Sequence, residues 1–251
     1  MSLKGRTALV TGAGRSVGLG VAKCLAEAGA TVGVNDLHAD RAEAAALQLR
    51  QAGSPSIPVP FDVTDYEAVR AGVAAVTEQL GPIDILVNNA GVVEGWQQQQ
   101  FLDSTPQSWV PHIQLNLYGS MNCIHSVLPD MVERGWGRIV QISSGASSRG
   151  LPIGVSIYGA AKAGIEGLLR HIAVEVGAQG VTANALALGL MDNNAGRMDP
   201  NRTRRVLAGA PISRFGRPEE VGAAAVWLAS EEGGFVTGQV IHLNGGSIFG
   251  R

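Results

Sequence analysis

The feature that most constrains this chain is a regular alternation of short apolar runs with helix-patterned stretches, opened by a glycine-rich turn. Thr7–Thr11 is a short run ending in Gly12-Ala13-Gly14, and a helical pattern follows from about Val17 to Ala28. Gly29 closes that helix, and Thr31–Asn35 reads as the next strand. Strand, glycine turn, helix and strand make a βαβ unit, which crosses over right-handedly. The pattern continues with helix Ala39–Ala52, strand Ser56–Phe61, helix Tyr66–Leu80 and strand Ile83–Asn88. A long helix over about Ser108–Arg134 follows, then strand Gly137–Ser143, helix Tyr158–Gln179 and strand Thr182–Ala187. Helix Pro218–Ala229 and strand Val240–Leu243 end the series. Short apolar strands alternating with helices predict an α/β fold: a doubly wound parallel sheet with helices on both faces.

No linker or shift in composition divides the 251 residues, so the expectation is one domain over 1–251. A net charge of −2 offers no electrostatic case for nucleic acid or an anionic membrane surface. No apolar run approaches the roughly 20 residues of a membrane-spanning helix. The start, Met1 to Arg6, leads straight into a strand without the apolar region of a signal peptide. Cys24 and Cys123 sit in apolar helical patterns without a CxxC spacing. They read as buried thiols of a reducing compartment, with no disulfide and no metal site, and a cytoplasmic location is expected. Gln97–Gln100 reads as solvated loop. The polar stretch Leu190–Pro211, with Asn193-Asn194 and several arginines, interrupts the pattern and reads as a substrate loop or lid.

A glycine-rich turn after a first strand lets backbone N–H groups and a helix N-terminus approach a pyrophosphate. Gly12, Gly14 and Gly18 occupy such a turn, between a strand and a helix as that chemistry requires. Asp36 falls at the end of the second strand, 24 residues after Gly12. A carboxylate there accepts hydrogen bonds from an adenosine ribose diol and repels a 2′-phosphate, favouring NAD over NADP; capping the next helix is its structural alternative. Arg15, within the glycine loop, argues the other way, because it can pair with a 2′-phosphate. Asp62-Val63 and Asn88-Asn89-Ala90-Gly91 follow the third and fourth strands, at the carboxyl ends where ligands bind in open α/β sheets.

Tyr158 and Lys162 are four residues apart, which stacks them on one helix face. A free phenol titrates near pH ~10. A neighbouring cation favours the phenolate and is expected to lower that value toward the range general acid–base catalysis needs. Ser144 lies fourteen residues before Tyr158, where its hydroxyl can hold the same substrate oxygen.

Taken together, Thr11-Gly12-Ala13-Gly14-Arg15-Ser16-Val17-Gly18, Asp62, Asn88-Asn89-Ala90-Gly91, Asn116, Ser144, Tyr158, Lys162 and Thr237–Gly246 resemble the short-chain dehydrogenase/reductase family in its compact branch. The resemblance spans nearly the whole chain. It implies a Rossmann fold of about seven strands, a homotetramer, and hydride transfer between nicotinamide and an alcohol or ketone. It further implies that Tyr158 is the acid/base, that Ser144 hydrogen-bonds the reacting oxygen, and that Lys162 binds the nicotinamide ribose and tunes the tyrosine. Asn116 would hold a water linking Lys162 to solvent. The implied cofactor contacts are Gly12, Gly14, Arg15, Ser16, Val17 and Gly18 around the pyrophosphate, with Asp36 and Leu37 at the adenosine ribose. Asp62 and Val63 would lie near the adenine, and Asn89, Ala90 and Gly91 along the dinucleotide. Gly189, Leu190 and Asn193 would lie near the carboxamide, with Tyr158 and Lys162 at the nicotinamide end.

The chain departs from the family pattern at three places: Ser16 replaces a glycine, Leu188 replaces a proline before Gly189, and Asn193 stands where a threonine is usual. A serine near the glycine loop is also found in enoyl reductases of the same superfamily, which space Tyr and Lys six apart internally, unlike Tyr158 and Lys162. The leading expectation is an NAD(H)-dependent alcohol dehydrogenase or ketoreductase. The alternatives are a 3-oxoacyl-thioester reductase using NADPH, to which the overall pattern is similar, and a catalytically idle nucleotide-binding scaffold. Retention of Asn116, Ser144, Tyr158 and Lys162 together weighs against the scaffold.

Overall fold

The computed structural model describes residues 1–192, 207–208 and 210–248. Its strands are β1 (Thr7–Val10), β2 (Thr31–Val34), β3 (Ser56–Pro58), β4 (Ile85–Asn88), β5 (Gly137–Ser144), β6 (Val181–Leu188) and β7 (Val240–Leu243). They form one sheet in the order β3-β2-β1-β4-β5-β6-β7, every pair parallel. The chain enters at β1, works outward to β3, returns to β4 beside β1, and works outward again to β7. The strand order therefore reverses between β1 and β4, where an open α/β sheet has its ligand crevice.

Side-chain alternation with a period of two sends each strand's apolar residues to two cores. Ala8, Val10, Ile85, Val87, Val140, Ile142, Leu186 and Leu188 face one cluster, filled by helices α1 (Ser16–Glu27), α2 (Ala39–Gln51) and α7 (Pro218–Ala229). Leu9, Leu86, Ile139, Ala183 and Ala185 face the other, filled by α3 (Tyr66–Leu80), α5 (Gly119–Arg134) and α6 (Ser156–Val176). Burying one such aliphatic side chain contributes about 1.5–3 kcal/mol, so both faces need their helices and the seven strands act as a rigid platform.

The structure departs from the expected elements in four places. The helix expected over Ser108–Arg134 is three pieces: α4 (Pro106–Ile113), a π-helical turn (Gln114–Tyr118), and α5. Thr105 caps α4 by accepting from the Ser108 N–H, and Pro111 within it contributes no N–H to the ladder. The wider turn carries Asn116, and such π turns recur at functional sites. Strand β5 runs one residue further than expected, to Ser144, and β3 ends at Pro58 instead of Phe61. Helix α6 begins at Ser156, so Tyr158 lies in its first turn.

Both cysteines are free, but only Cys123 is fully buried, its thiol pushed up to about 12 by that burial; Cys24 is half-buried, contrary to expectation. No helix among the described residues is long and apolar enough to cross a membrane.

Candidate active site

At the carboxyl end of β1 the chain turns through the glycine loop into α1. Arg15, before the first helical residue, makes no side-chain cap, and the first turn of α1 holds no acidic residue. Its N–H groups and positive dipole end are thus free of a protein anion, as a phosphate cradle requires. A Cβ on Gly18 would lie 2.3 Å from the Gly12 carbonyl oxygen and 2.4 Å from Asn89 Nδ2, so only glycine fits. Ser16 has φ of 51°, the left-handed region, and is the one such non-glycine residue among the described residues. The backbone there still has the shape of the glycine that serine replaces. The Val17 side chain is sunk in the core, leaving its backbone to face the loop.

Asp36 is buried against this loop. Its Oδ2 accepts from the Gly14 N–H at 3.1 Å and its Oδ1 from the His38 N–H at 3.1 Å. Asn35 Oδ1 accepts from the Gly12 N–H at 3.3 Å, while its Nδ2 donates to the carbonyls of Val59 and Phe61. Asn89 Nδ2 donates to the carbonyls of Thr11 and Gly12, both at 2.9 Å, and Thr11 Oγ1 accepts from the N–H groups of Asn89 and Ala90. Leu37 is exposed beside Asp36. Asp62 is exposed and spends Oδ1 on the backbone and hydroxyl of Thr64, whereas Val63 packs into the core beneath Gly119.

The second cluster forms where β4 and β5 end and α6 begins. Lys162 is fully buried and its Nζ donates to the Ile142 carbonyl at 2.8 Å. The same Nζ lies 5.7 Å from the Tyr158 ring centre. A Cβ on Gly91 would stand 2.8 Å from both Lys162 Nζ and Asn116 Oδ1, so the bare glycine lets the two approach. Asn116 Nδ2 donates to the His112 carbonyl at 3.1 Å, while its buried Oδ1 has no partner among the described residues. The Ser144 hydroxyl lies near enough to the Tyr158 phenol to act on it. Burial holds the phenol above its ordinary value, and the Ser144 hydroxyl pulls it down by less. The expected lowering by Lys162 is not seen: desolvation sets the direction and Ser144, not the lysine, opposes it, so the phenol stays protonated at neutrality. Burial also pushes the Lys162 ammonium down to about 8, against the pull of Glu166.

Gly189 N–H donates to the Leu243 carbonyl at 2.9 Å, and a Cβ on Gly189 would meet Asn244 Cα at 2.7 Å. Leu188 ends β6, in register with Ser144 of β5 and Leu243 of β7. Leu190 is exposed. Asn193 and most of the expected substrate loop lie outside the described residues. Arg149 Nη1 donates to the Ser247 carbonyl at 3.3 Å.

Arg41 and Glu166 escaped the sequence reading, which placed Trp96 at the edge of the substrate pocket without its contacts. Arg41 Cβ lies 2.7 Å from where a Gly14 Cβ would stand, and its guanidinium pairs with Glu94 at 3.9 Å. Trp96 lies 5.4 Å from the Tyr158 ring at 31° and edge-on to His112 at 4.9 Å, an aromatic wall joining two distant segments. The loop bearing Trp96 is tied to the 149–155 segment by Gln99 N–H donating to the Gly154 carbonyl at 3.0 Å. Glu166 had a signal available: it lies four residues past Lys162, on the same helical face.

A doubly wound sheet with an anion-ready glycine loop at its switch point and a Ser-Tyr-Lys cluster beside it defines a dinucleotide-dependent oxidoreductase. Residues 12–247 match the family model described as enoyl-(acyl carrier protein) reductase. An acetoacetyl-CoA reductase of Rhizobium meliloti is 39% identical over 246 residues, covering 97% of this chain and 99% of that protein. A 3-oxoacyl-[acyl-carrier-protein] reductase, FabG, of Staphylococcus aureus is 35% identical over 243 residues, covering 96% and 97%. Among solved structures, a 3-oxoacyl-[acyl-carrier protein] reductase with bound NAD from Brucella melitensis superposes with a TM-score of 0.91 at 33% identity, covering 98% of this chain and 92% of that one. A gluconate 5-dehydrogenase from Burkholderia cenocepacia in complex with NADP and tartrate gives 0.90 at 33%, covering 98% and 96%. The chain belongs to the short-chain dehydrogenase/reductase family. It is an oxidoreductase acting on hydroxyl or keto groups with a nicotinamide dinucleotide.

Proposed function

We propose that this chain uses NAD(H) to interconvert a secondary alcohol and a ketone, with Tyr158 as the acid/base. The observation that carries the reading is the Tyr158 phenol beside the Ser144 hydroxyl, with the Nζ of the buried Lys162 5.7 Å from its ring centre, at the switch-point crevice. The bound dinucleotide supplies or receives the hydride. In reduction, Tyr158 Oη gives its proton to the carbonyl oxygen; in oxidation it takes the hydroxyl proton back. Ser144 Oγ holds that oxygen by a hydrogen bond. A phenol kept protonated by burial is a ready donor for reduction. Lys162 Nζ binds the nicotinamide ribose, and Asn116 Oδ1, otherwise unpartnered among the described residues, holds a water that connects the lysine to solvent.

The preference for NAD rests on Asp36, whose carboxylate faces the glycine loop where an adenosine ribose sits. A 2′-phosphate there would meet a buried negative charge. Asp62, Val63, Asn89, Ala90, Gly189, Leu190 and Asn193 complete the cofactor contacts in this reading. The chain acts as one domain and, by family resemblance, as a cytoplasmic homotetramer. The test is a titration of NADH and then NADPH, following quenching of Trp96, Trp109, Trp136 and Trp227. Tight NADH with weak NADPH is expected; the reverse would overturn the Asp36 reading.

A second reading is favoured by the curated relatives, which match this chain nearly end to end and are named as reductases of 3-oxoacyl thioesters. Reduction of acetoacetyl-CoA by NADPH with higher kcat/KM than any simple ketone with NADH would make it the better one.

A further inference from the structure

Glu166 is buried at the catalytic end, yet the proposed chemistry does not use it. It lies eight residues after Tyr158 and four after Lys162, so the three side chains form one stripe along α6. A carboxylate taken out of water needs partners, or its desolvation costs several kcal/mol. Its partners are two hydroxyls: Ser143 Oγ and, at 2.6 Å, Ser147 Oγ both donate to Oε1. Ser147 Oγ is also 2.6 Å from the Ser144 carbonyl oxygen. A hydroxyl has one proton, so Ser147 bridges the carboxylate and that carbonyl by sharing it between them. Ser143 precedes Ser144 and Ser147 follows it, so one carboxylate grips the strand end on both sides of the substrate-facing serine. The 3₁₀ turn Gly145–Ser147 adds a third tie, Ala146 N–H donating to Ser144 Oγ at 3.2 Å.

We infer that Glu166 is a positioning residue: it fixes Ser144 through Ser143 and Ser147, and it supplies the negative charge that keeps Lys162 an ammonium ion. This rests on the proposed roles of Ser144 and Lys162. The surroundings of Lys162 single Glu166 out. From β5 the lysine receives the Ile142 carbonyl, and the π turn brings Asn116 Oδ1 near it. The titratable groups on the packed elements are the half-buried Tyr158 and the buried His112 on α4, Cys123 on α5, and Arg138 at the far end of β5. Burial favours the neutral form of Tyr158, His112 and Cys123. Glu166 is the group whose charge opposes the desolvation of Lys162.

The test is Glu166→Gln, which keeps the shape and an acceptor for a serine but removes the charge. The chain has three lysines, Lys4, Lys23 and Lys162, so lysine-selective carbon-13 NMR can follow Lys162 against two internal references. In Glu166→Gln the Lys162 titration should move down by about one pH unit. The kcat for ketone reduction should fall by about ten- to a hundredfold, NADH affinity at about pH 6, where the lysine stays charged, should hold, and the alkaline limb of the pH–rate profile should move down with the lysine. An unmoved lysine, or an unchanged kcat, overturns the inference. Should that variant fail to fold, Ser147→Ala tests the clamp alone: kcat should fall while Lys162 titrates as in the parent, and an unchanged kcat overturns it. If the parent turns over no alcohol or ketone, the functional reading has failed, and the NMR titration still decides the link between Glu166 and Lys162.

Discussion

The two ends of the crevice are built on opposite plans. At the nucleotide end nearly every polar group is spoken for: Asn35, Asn89, Thr11 and Asp36 lock the glycine loop through at least seven hydrogen bonds to backbone N–H and C=O groups. At the catalytic end Asn88 Oδ1, Asn116 Oδ1, Gln141 Oε1 and His112 Nδ1 are buried without partners among the described residues, and a lysine is sunk in the core. A saturated network gives a rigid, preformed shape, while groups left open inside a low-dielectric site interact strongly with whatever reacts there. Binding at the first end is therefore a matter of fit, and chemistry at the second a matter of charge and protons.

The contrast breaks most visibly at Tyr158. Tyr158→Phe removes the proton and leaves the ring that packs on Trp96. Turnover should fall by about 10²–10⁴-fold, while NADH quenching of the tryptophans is unchanged. Lost cofactor binding, or retained turnover, would mean that the two ends are not separate.

A smaller effect is expected at the nucleotide end. Asp36→Ala removes a carboxylate that faces the loop and leaves the remaining ties of Asn35 and Asn89 in place. Losing charge-assisted hydrogen bonds of about 1.5–3 kcal/mol should narrow the preference for NADH over NADPH by roughly tenfold or more. The ratio of the two dissociation constants is the measurement, with kcat on saturating cofactor expected to hold. An unmoved ratio would take the ribose contact away from Asp36 and turn attention to Arg15 and Arg41.

What was legible in the sequence follows the same division. The alternation of strands and helices, the glycine loop and Asp36 could be read because they depend on local backbone shape and on period. Tyr158, Lys162 and Ser144 could be read from spacing and family resemblance. The direction of the tyrosine shift could not, because burial depends on how α6 packs against β5 and the π turn, and desolvation, not the neighbouring lysine, sets it. The π turn under Asn116 was hidden inside an apparently continuous helix, since an extra residue in a turn leaves the apolar pattern nearly intact. Trp96 over Tyr158, and the serine clamp on Glu166, join segments 62 and 23 residues apart, contacts that no local rule reports.

The smallest expected effect sharpens the comparison from the nucleotide side. Ser16 holds a left-handed backbone conformation where its Cβ is crowded, at φ of 51°. For an ordinary residue that costs about 1–2 kcal/mol, offset in part by the greater freedom glycine has in the unfolded chain. Ser16→Gly should therefore stabilise the protein by about 0.5–1 kcal/mol, a rise in Tm of about 1–4 °C for a chain of this length. The fold already presents the loop in the glycine shape, so NADH affinity should stay level or rise slightly, and kcat should not move, because the catalytic cluster lies at the other end. A fall in NADH affinity would show that the Ser16 hydroxyl is itself a ligand to the pyrophosphate. The loop would then recognise its cofactor with a side chain as well as with backbone, and the contrast between a backbone-built binding end and a side-chain-built reacting end would be less sharp than the geometry makes it.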